Sequence, residues 1–171
     1  MAKTLEIAPY NSEWPKLFDK EKKILSKPLY NWVFDTEHIG STAIPGLAAK
    51  PTIDILMGVA DFDVVDVFCI DPMIDLGYDY IEEYEKIFPE RRFFQKLDKD
   101  GNHLFHVHLV QFNGPFWHKH LFFRNYLRKH KDVAKEYETL KKDLLSKNGD
   151  IEAYLKGKTS FVRKIESLMK K

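Results

Sequence analysis

The sequence predicts an α+β fold, a mixed β-sheet flanked by helices with a helical C-terminal part. Two observations carry that prediction. Strand-like segments, alternating or continuously apolar, end by residue 112, and from Phe116 onward the apolar period becomes helical. The 171 residues are enough for one hydrophobic core and short for two, and 44% apolar with 31% charged residues is ordinary for a soluble globular chain. Residues 1–171 are therefore expected to form one domain, with helices over about 116–170 packed on the sheet.

Taken in order, Leu5–Ala8 reads as a short extended segment and Pro9–Asn11 as a turn. A helix is expected from about Ser12, with Trp14, Leu17, Phe18, Ile24 and Leu25 on one face, Asn11 or Ser12 as its cap, and Pro15 tolerated in its first turn. Trp32–Ile39 alternates and is rich in aromatic and β-branched residues, which predicts a strand ending at Gly40. A loop punctuated by Gly and Pro runs to Pro51, and the nearly unbroken apolar run Ile53–Val59 predicts a central strand. Asp61–Leu76 reads as a helix broken or kinked at Asp71-Pro72 and ended by Gly77. Tyr78–Ile81, Arg91–Leu97 and His103–Phe112 are expected strands, the last two joined as a hairpin by Asp98-Lys99-Asp100-Gly101-Asn102. Helices follow at Phe116–Lys129, Val133–Ser146 and Ile151–Lys170, with Asp150 a candidate cap for the last.

The formal net charge of +1 argues against a dedicated duplex-binding protein. The charges are nonetheless segregated. Residues 1–60 hold 7 basic and 7 acidic groups, residues 61–85 hold 9 acidic and no basic ones, and residues 86–171 hold 20 basic and 10 acidic. That back half could line a face that attracts anions, and the acidic stretch is expected to be solvated. The single cysteine, Cys69, excludes an internal disulfide and a cysteine-based zinc cluster. With no signal-peptide pattern at Met1–Tyr10 and no apolar run of spanning length, a cytoplasmic protein without a membrane partner is expected.

The stretch Glu37–Ile55 is the most informative. A strand ends in Gly40-Ser41, and the next strand carries one acid, Asp54, among apolar neighbours. Gly40, Ser41 and Thr42 could hold phosphate oxygens, with Lys50 adding a point charge, and a buried Asp54 needs a partner, for which a divalent cation is one candidate. The spacing is not that of a P-loop, because five residues separate Gly40 from Gly46 and Ala48-Ala49 precede Lys50. A tight turn with a capping serine is the plainer reading. In His103-Leu104-Phe105-His106-Val107-His108, the period of two puts His106 and His108 on one face and His103 on the other. With Asp54 or His38, this pair could form a metal site or act in acid–base chemistry, though a hydrogen-bonded structural pair is the commoner arrangement. Arg91, Arg92 and Lys96 form a basic group on the hairpin, where alternation lets only half of them reach a common cleft. Arg124 and Arg128, one helical turn apart, share a face and, with Lys141 and Lys158, could clamp phosphate. Phe93, Phe123, Tyr126 and Tyr137 have the spacing of buried faces.

The run from His38 to Asp54 resembles the GrpB family (UPF0157), whose hallmark is His-Ile-Gly-Ser-Thr-Ala-x-Pro-Gly-Leu-x-x-Lys-Pro-x-Ile-Asp. The likeness extends through Pro9–Pro15, Arg91–Phe94, Phe123–Arg128, Tyr137, Leu140-Lys141, Tyr154 and Lys158. The resemblance implies a nucleotidyltransferase-like fold with Gly40-Ser41 in place of that superfamily's Gly-Ser motif and Asp54 in place of its first metal-binding carboxylate. Related domains fused to dephospho-CoA kinase imply a nucleotide or coenzyme context. Two departures stand out. The superfamily's acid-x-acid triplet is Asp54-Ile55-Leu56 here, without a second carboxylate, and the later strand expected to bring a third acid brings His103, His106 and His108. Asn125 also stands where the family commonly has Asp after Phe-Arg.

The expected function is binding of a nucleotide, coenzyme or other phosphorylated small ligand by Gly40, Ser41, Thr42, Lys50, Arg124 and Lys141. The alternative is a metal-dependent nucleotidyl or phosphoryl transferase with Asp54, His106 and His108 as catalytic and metal-binding residues, using Mg²⁺ or a transition metal. A protein- or RNA-interaction module is a further alternative, and no specific nucleic-acid partner is predicted.

Overall fold

The computed structural model describes residues 7–148 and 151–169. Helix α1 (Trp14–Leu29) leads into strand β1 (Val33–Ile39), a single 3₁₀ turn at Ser41–Ala43, and strand β2 (Ile53–Val59). Two short helices, α2 (Phe62–Phe68) and α3 (Ile70–Asp75), precede β3 (Asp79–Tyr80), a 3₁₀ segment at Glu82–Lys86, and the hairpin β4 (Arg92–Leu97) and β5 (His103–Gln111). Helices α4 (Pro115–Lys129), α5 (Lys131–Asn148) and α6 (Ile151–Glu166) complete the chain. The expected α+β architecture is present: one five-stranded sheet of order β1-β2-β5-β4-β3, mixed because β2 and β5 run parallel while the other neighbours are antiparallel.

Strand alternation decides what each face carries. On β2, Ile53, Ile55, Met57 and Val59 join Val107, Leu109 and Phe94 against α1, α2 and α3 in the main core. The even positions face the other way. There Leu56, Ile39 and Val110 pack on Trp117 of α4, and Asp54 is left beside a gap that α5 and α6 roof. A second apolar cluster ties the loop after β1 to the C-terminal helices through Ile44, Leu47, Phe123, Leu127, Tyr137 and Phe161.

Several elements differ from expectation for identifiable reasons. α1 begins at Trp14, with Asn11 bracing the turn ahead of it by accepting the Glu13 N–H, and its buried stripe is Trp14, Phe18, Glu21, Leu25 and Leu29. Leu17 is exposed, and Glu21 takes an inward place because the Tyr78 hydroxyl and Lys96 ammonium both bond its carboxylate. The break between α2 and α3 falls at Cys69, ahead of Pro72, which sits in the first turn of α3 where its missing N–H costs nothing. Ala8 pairs with Ala49 in an isolated bridge; Leu5 and Asp150 lie outside the described residues. The Asp98–Asn102 turn forms as expected, with Asp98 accepting from the Asp100 and Asn102 N–H groups and Gly101 at φ +76°.

Candidate functional site

The gap between the sheet and α5–α6 is a cavity of about 570 Å³ at the motif end of β2. It is lined by Gly40, Ser41 and Thr42, by Lys50, Asp54 and Arg91, by His103, His106 and His108, and by Lys141 and Lys158 from the roof. Most of the positions predicted from sequence therefore meet in one place.

Asp54 is the centre of the floor. The parallel register sets it opposite His106, and the alternation places His108 one step along the same face. Its Oδ1 lies 3.3 Å from His106 Nδ1 and 3.7 Å from His108 Nε2. Burial pushes the Asp54 carboxyl up, but hydrogen bonds and charge from the two imidazoles outweigh it and hold the group far below the usual carboxylate range. Arg91 fixes the tautomer of His108. A guanidinium can only donate, so His108 Nδ1, 3.1 Å from Arg91 Nη1, accepts, and the proton of neutral His108 is on the Nε2 that faces Asp54. Burial lowers the His108 pKa further. His106 Nε2 reaches His103 Nδ1 at 3.0 Å, which overturns the expectation that His103 lies on the opposite face. The β4–β5 pairing shifts register between Lys96 and Leu97, so His103 leaves regular alternation and turns toward His106. Arg91 alone of the hairpin cations enters the cavity; Arg92 pairs with Asp66 and Glu85, and Lys96 with Glu21, on the helix-covered face. The guanidinium of Arg91 lies over the Phe88 and Phe93 rings, and its Nε is buried without a hydrogen-bond partner among the described residues.

The rim is held by the C-terminal helices. Lys141 on α5 donates to Ser41 Oγ at 3.1 Å and to the Ala48 carbonyl at 2.8 Å, while Glu138 accepts the Ala48 N–H at 3.1 Å. Both backbone groups of Ala48 are thus bonded to one helix. Burial and the neighbouring Lys158 push Lys141 down to about 8. Burial likewise lowers Lys50 and Lys158. Gly40 takes φ +72°, and a Cβ there would overlap Asp54 Oδ2, so its glycine makes room for the carboxylate.

Two expected ligand residues have other work. Thr42 is buried, donates to the Thr52 carbonyl and meets His38 Nε2 at 3.0 Å, so its hydroxyl is committed within the protein. Arg124 is outside the cavity: it pairs with Glu37, donates to the His38 carbonyl at 2.9 Å and to Asn125 Oδ1 at 3.0 Å. Arg128 shares its face as expected and bonds the Ala43 carbonyl at 2.8 Å. These arginines dock the motif loop onto α4. Phe93, Phe123 and Tyr137 are buried as their spacing predicts. Sequence reasoning missed Glu138, whose signal was the Lys135-Glu138-Lys142 spacing of an i+3, i+4 ion-pair cluster.

Comparison with known proteins places the chain. A family profile described as "GrpB protein" matches residues 4–168. The chain belongs to the GrpB family. GrpB from Enterococcus faecalis, a solved crystal structure, superposes with a TM-score of 0.83 at 36% identity, covering 95% of each chain. The glutamate-rich protein GrpB of Alkalihalophilus pseudofirmus is 36% identical over 93% of this chain and 92% of its own length. The UPF0157 protein YqkA of Bacillus subtilis is 38% identical over 98% of this chain, which spans about half (48%) of that longer relative. Among the described residues no helix is long and apolar enough to cross a membrane.

The two-metal centre implied by a nucleotidyltransferase-like fold does not fit this GrpB chain. Leu56 occupies the place of a second carboxylate, and Glu37, the neighbouring acid on β1, is held by Arg124. Arg91 leaves His108 no lone pair to offer a cation beside Asp54. Among the described residues no group of three or more His, Cys, Asp and Glu side chains is arranged to hold a metal ion. The Asp54, His106 and His108 set is an acid–imidazole cluster stabilised by its own hydrogen bonds. With its acceptor nitrogen taken by Arg91, neutral His108 has no lone pair left to serve a ligand as general base.

Proposed function

We propose that the cavity binds a phosphorylated small ligand, a nucleotide or phosphate-bearing coenzyme. The observation that carries this reading is the convergence of Lys50, Arg91, Lys141 and Lys158 on a cavity where the one carboxylate among the described lining residues, Asp54, is already paired with histidines. The ammonium groups of Lys50 and Lys158 make no hydrogen bond to other described residues, and burial lowers both, so an entering anion relieves an electrostatic cost. The unpartnered Arg91 Nε–H adds a donor of the type that suits a phosphate oxygen. The family resemblance supports the same class. A metal-dependent transfer reaction gains nothing from the donor set around Asp54.

The test is calorimetric titration of ATP, coenzyme A and pyrophosphate, backed by thermal shift, since a ligand bound only to the native state raises its apparent stability. Lys158→Met should weaken the binding probe by about tenfold to a hundredfold, the loss of one charge-assisted hydrogen bond. The same variant should melt no lower than the parent, because it removes a cation whose burial opposes folding. Absence of binding by all three probes, or unchanged affinity in Lys158→Met, refutes the reading.

A further inference from the structure

Ser41 and Lys141 form a pair that phosphate binding leaves unexplained. They are one hundred residues apart in sequence, yet Lys141 Nζ is 3.1 Å from Ser41 Oγ, the reach of a nucleophile from its base. Lys141 is 2% exposed and borders the cavity beside Ser41, with its ammonium turned to Oγ and to the Ala48 carbonyl. No salt bridge neutralises Lys141 among the described residues; Glu138 on its own helix is taken by Lys135, Lys142 and the Ala48 N–H. A neutral amine at this position keeps one N–H on the Ala48 carbonyl, which aims its lone pair at Oγ. Ser41 lines the cavity, and the Tyr137 phenol interacts with its side chain from below.

We propose that Ser41 is a covalent nucleophile toward phosphoric esters or anhydrides, with Lys141 as the base that takes its proton. The Oγ–P bond forms as the Oγ proton passes to neutral Lys141, and the bond from phosphorus to the leaving oxygen breaks. Lys141 returns the proton to that oxygen. Water then attacks phosphorus and the Oγ–P bond breaks; the water's proton passes through Lys141 to Oγ, which releases the phosphate and restores both Ser41 and neutral Lys141. The inference rests on the phosphate reading for the identity of the electrophile only; the reactivity of Ser41 is separable from it.

The charged and titratable groups that face Lys141 set its pH response. Lys158 and Tyr154 approach from α6, Glu138, Lys142 and Tyr137 from α5 itself, Ser41 from the turn after β1, and Asp54 from the cavity floor. Burial and the cations dominate and bring Lys141 to about 8. Deprotonation is therefore reached in mildly alkaline solution, well below the range of a solvated lysine.

The experiment is labelling of the full chain with a fluorophosphonate, read by intact mass and peptide mapping; the P–F bond breaks and fluoride leaves. One adduct is expected, on Ser41, absent in Ser41→Ala, with a rate that rises about tenfold from pH 7 to pH 9 as Lys141 deprotonates. Lys141→Gln should slow labelling by about a hundredfold or more. Lys141→Arg, which keeps the charge and the capacity to donate but cannot serve as a base, should behave the same while confirming that loss of fold is not the cause. An unlabelled wild type, an adduct elsewhere, a rate flat across that pH range, or either lysine variant reacting at the parental rate overturns the proposal. Because the probe carries no nucleotide, labelling of a protein that fails to bind ATP, coenzyme A and pyrophosphate would reject the ligand class and retain the nucleophile.

Discussion

Gly40→Ala is the substitution whose effect the geometry fixes most tightly. Gly40 has φ +72° and ψ −174°, backbone space that only glycine occupies without strain, and an alanine held there costs about 1–3 kcal/mol. The added methyl would overlap Asp54 Oδ2 and stand 3.1 Å from Asp54 Cβ and Cγ. Asp54 cannot swing aside freely, because His106 and His108 hold its carboxylate; forcing it out costs a further ~1–3 kcal/mol. The sum is about 2–6 kcal/mol, which for a chain of this length lowers Tm by roughly 5–20 °C. Urea denaturation of Gly40→Ala, Asp54→Ala and the double variant separates the two contributions. In the Asp54→Ala background the overlapping Oδ2 and Cγ are gone and only the 3.1 Å contact with Cβ remains, so Gly40→Ala should cost its backbone strain and little more, leaving a coupling of about 1 kcal/mol or more. A cost identical in both backgrounds would refute the claim that Gly40 exists to admit the carboxylate.

Acid sensitivity should come partly from buried histidines. Burial lowers His38 and His120 to about 4 against an unfolded value of 6.5, so the unfolded chain binds protons more readily and stability falls as pH drops from 6.5 toward 4. His38 alone accounts for about 3 kcal/mol across that window, and His38→Gln should flatten the pH dependence of the urea midpoint; an unchanged slope would exclude it. Arg124→Met removes one side of a largely buried ion pair and frees the His38 carbonyl, so it should destabilise by about 3 kcal/mol, and a variant as stable as the parent would remove Arg124 from the docking of the motif loop.

The sheet and helices were legible wherever a segment's own period decided its state. Ile53–Val59 reads as an interior strand from its apolar run, and the hairpin follows from Asp98 and Gly101 at the turn. What could not be read depends on partners distant in sequence. Glu21 points inward because Tyr78 and Lys96, more than fifty residues later, complete its hydrogen bonds, and no local pattern announces that. His103 meets His106 only because the hairpin shifts register near its turn. That Asp54, Ser41 and His106 would meet in one cavity was legible from type and spacing, since all sit at one end of adjacent strands or the turn beside them. Arg124 was assigned to the ligand from its type and helical spacing, and the structure spends its guanidinium on Glu37, the His38 carbonyl and Asn125.

The basic excess of residues 86–171 divides into two populations that the net charge conceals. Arg124, Arg128 and Lys141 are used on main-chain carbonyls at His38, Ala43 and Ala48, so the end of β1 and two points of the loop after it are fastened by cations from α4 and α5. These bonds add to the loop's own short-range ones, Ala43 N–H to the Gly40 carbonyl, Ile44 N–H to that of Ser41 and Leu47 N–H to that of Ile44. Arg91 and Lys158, with Lys50 from the loop, are instead left facing the cavity, where burial lowers all three. Cations that stabilise the fold and cations that oppose it therefore stand side by side around one space. Under the proposed ligand class, a phosphate dianion would offset with its own charge the desolvation penalty that the second group carries. Lys141 belongs to both groups. The same ammonium that pins Ala48 donates to Ser41 Oγ, so the position of the serine is tied to the closure of the loop that carries it.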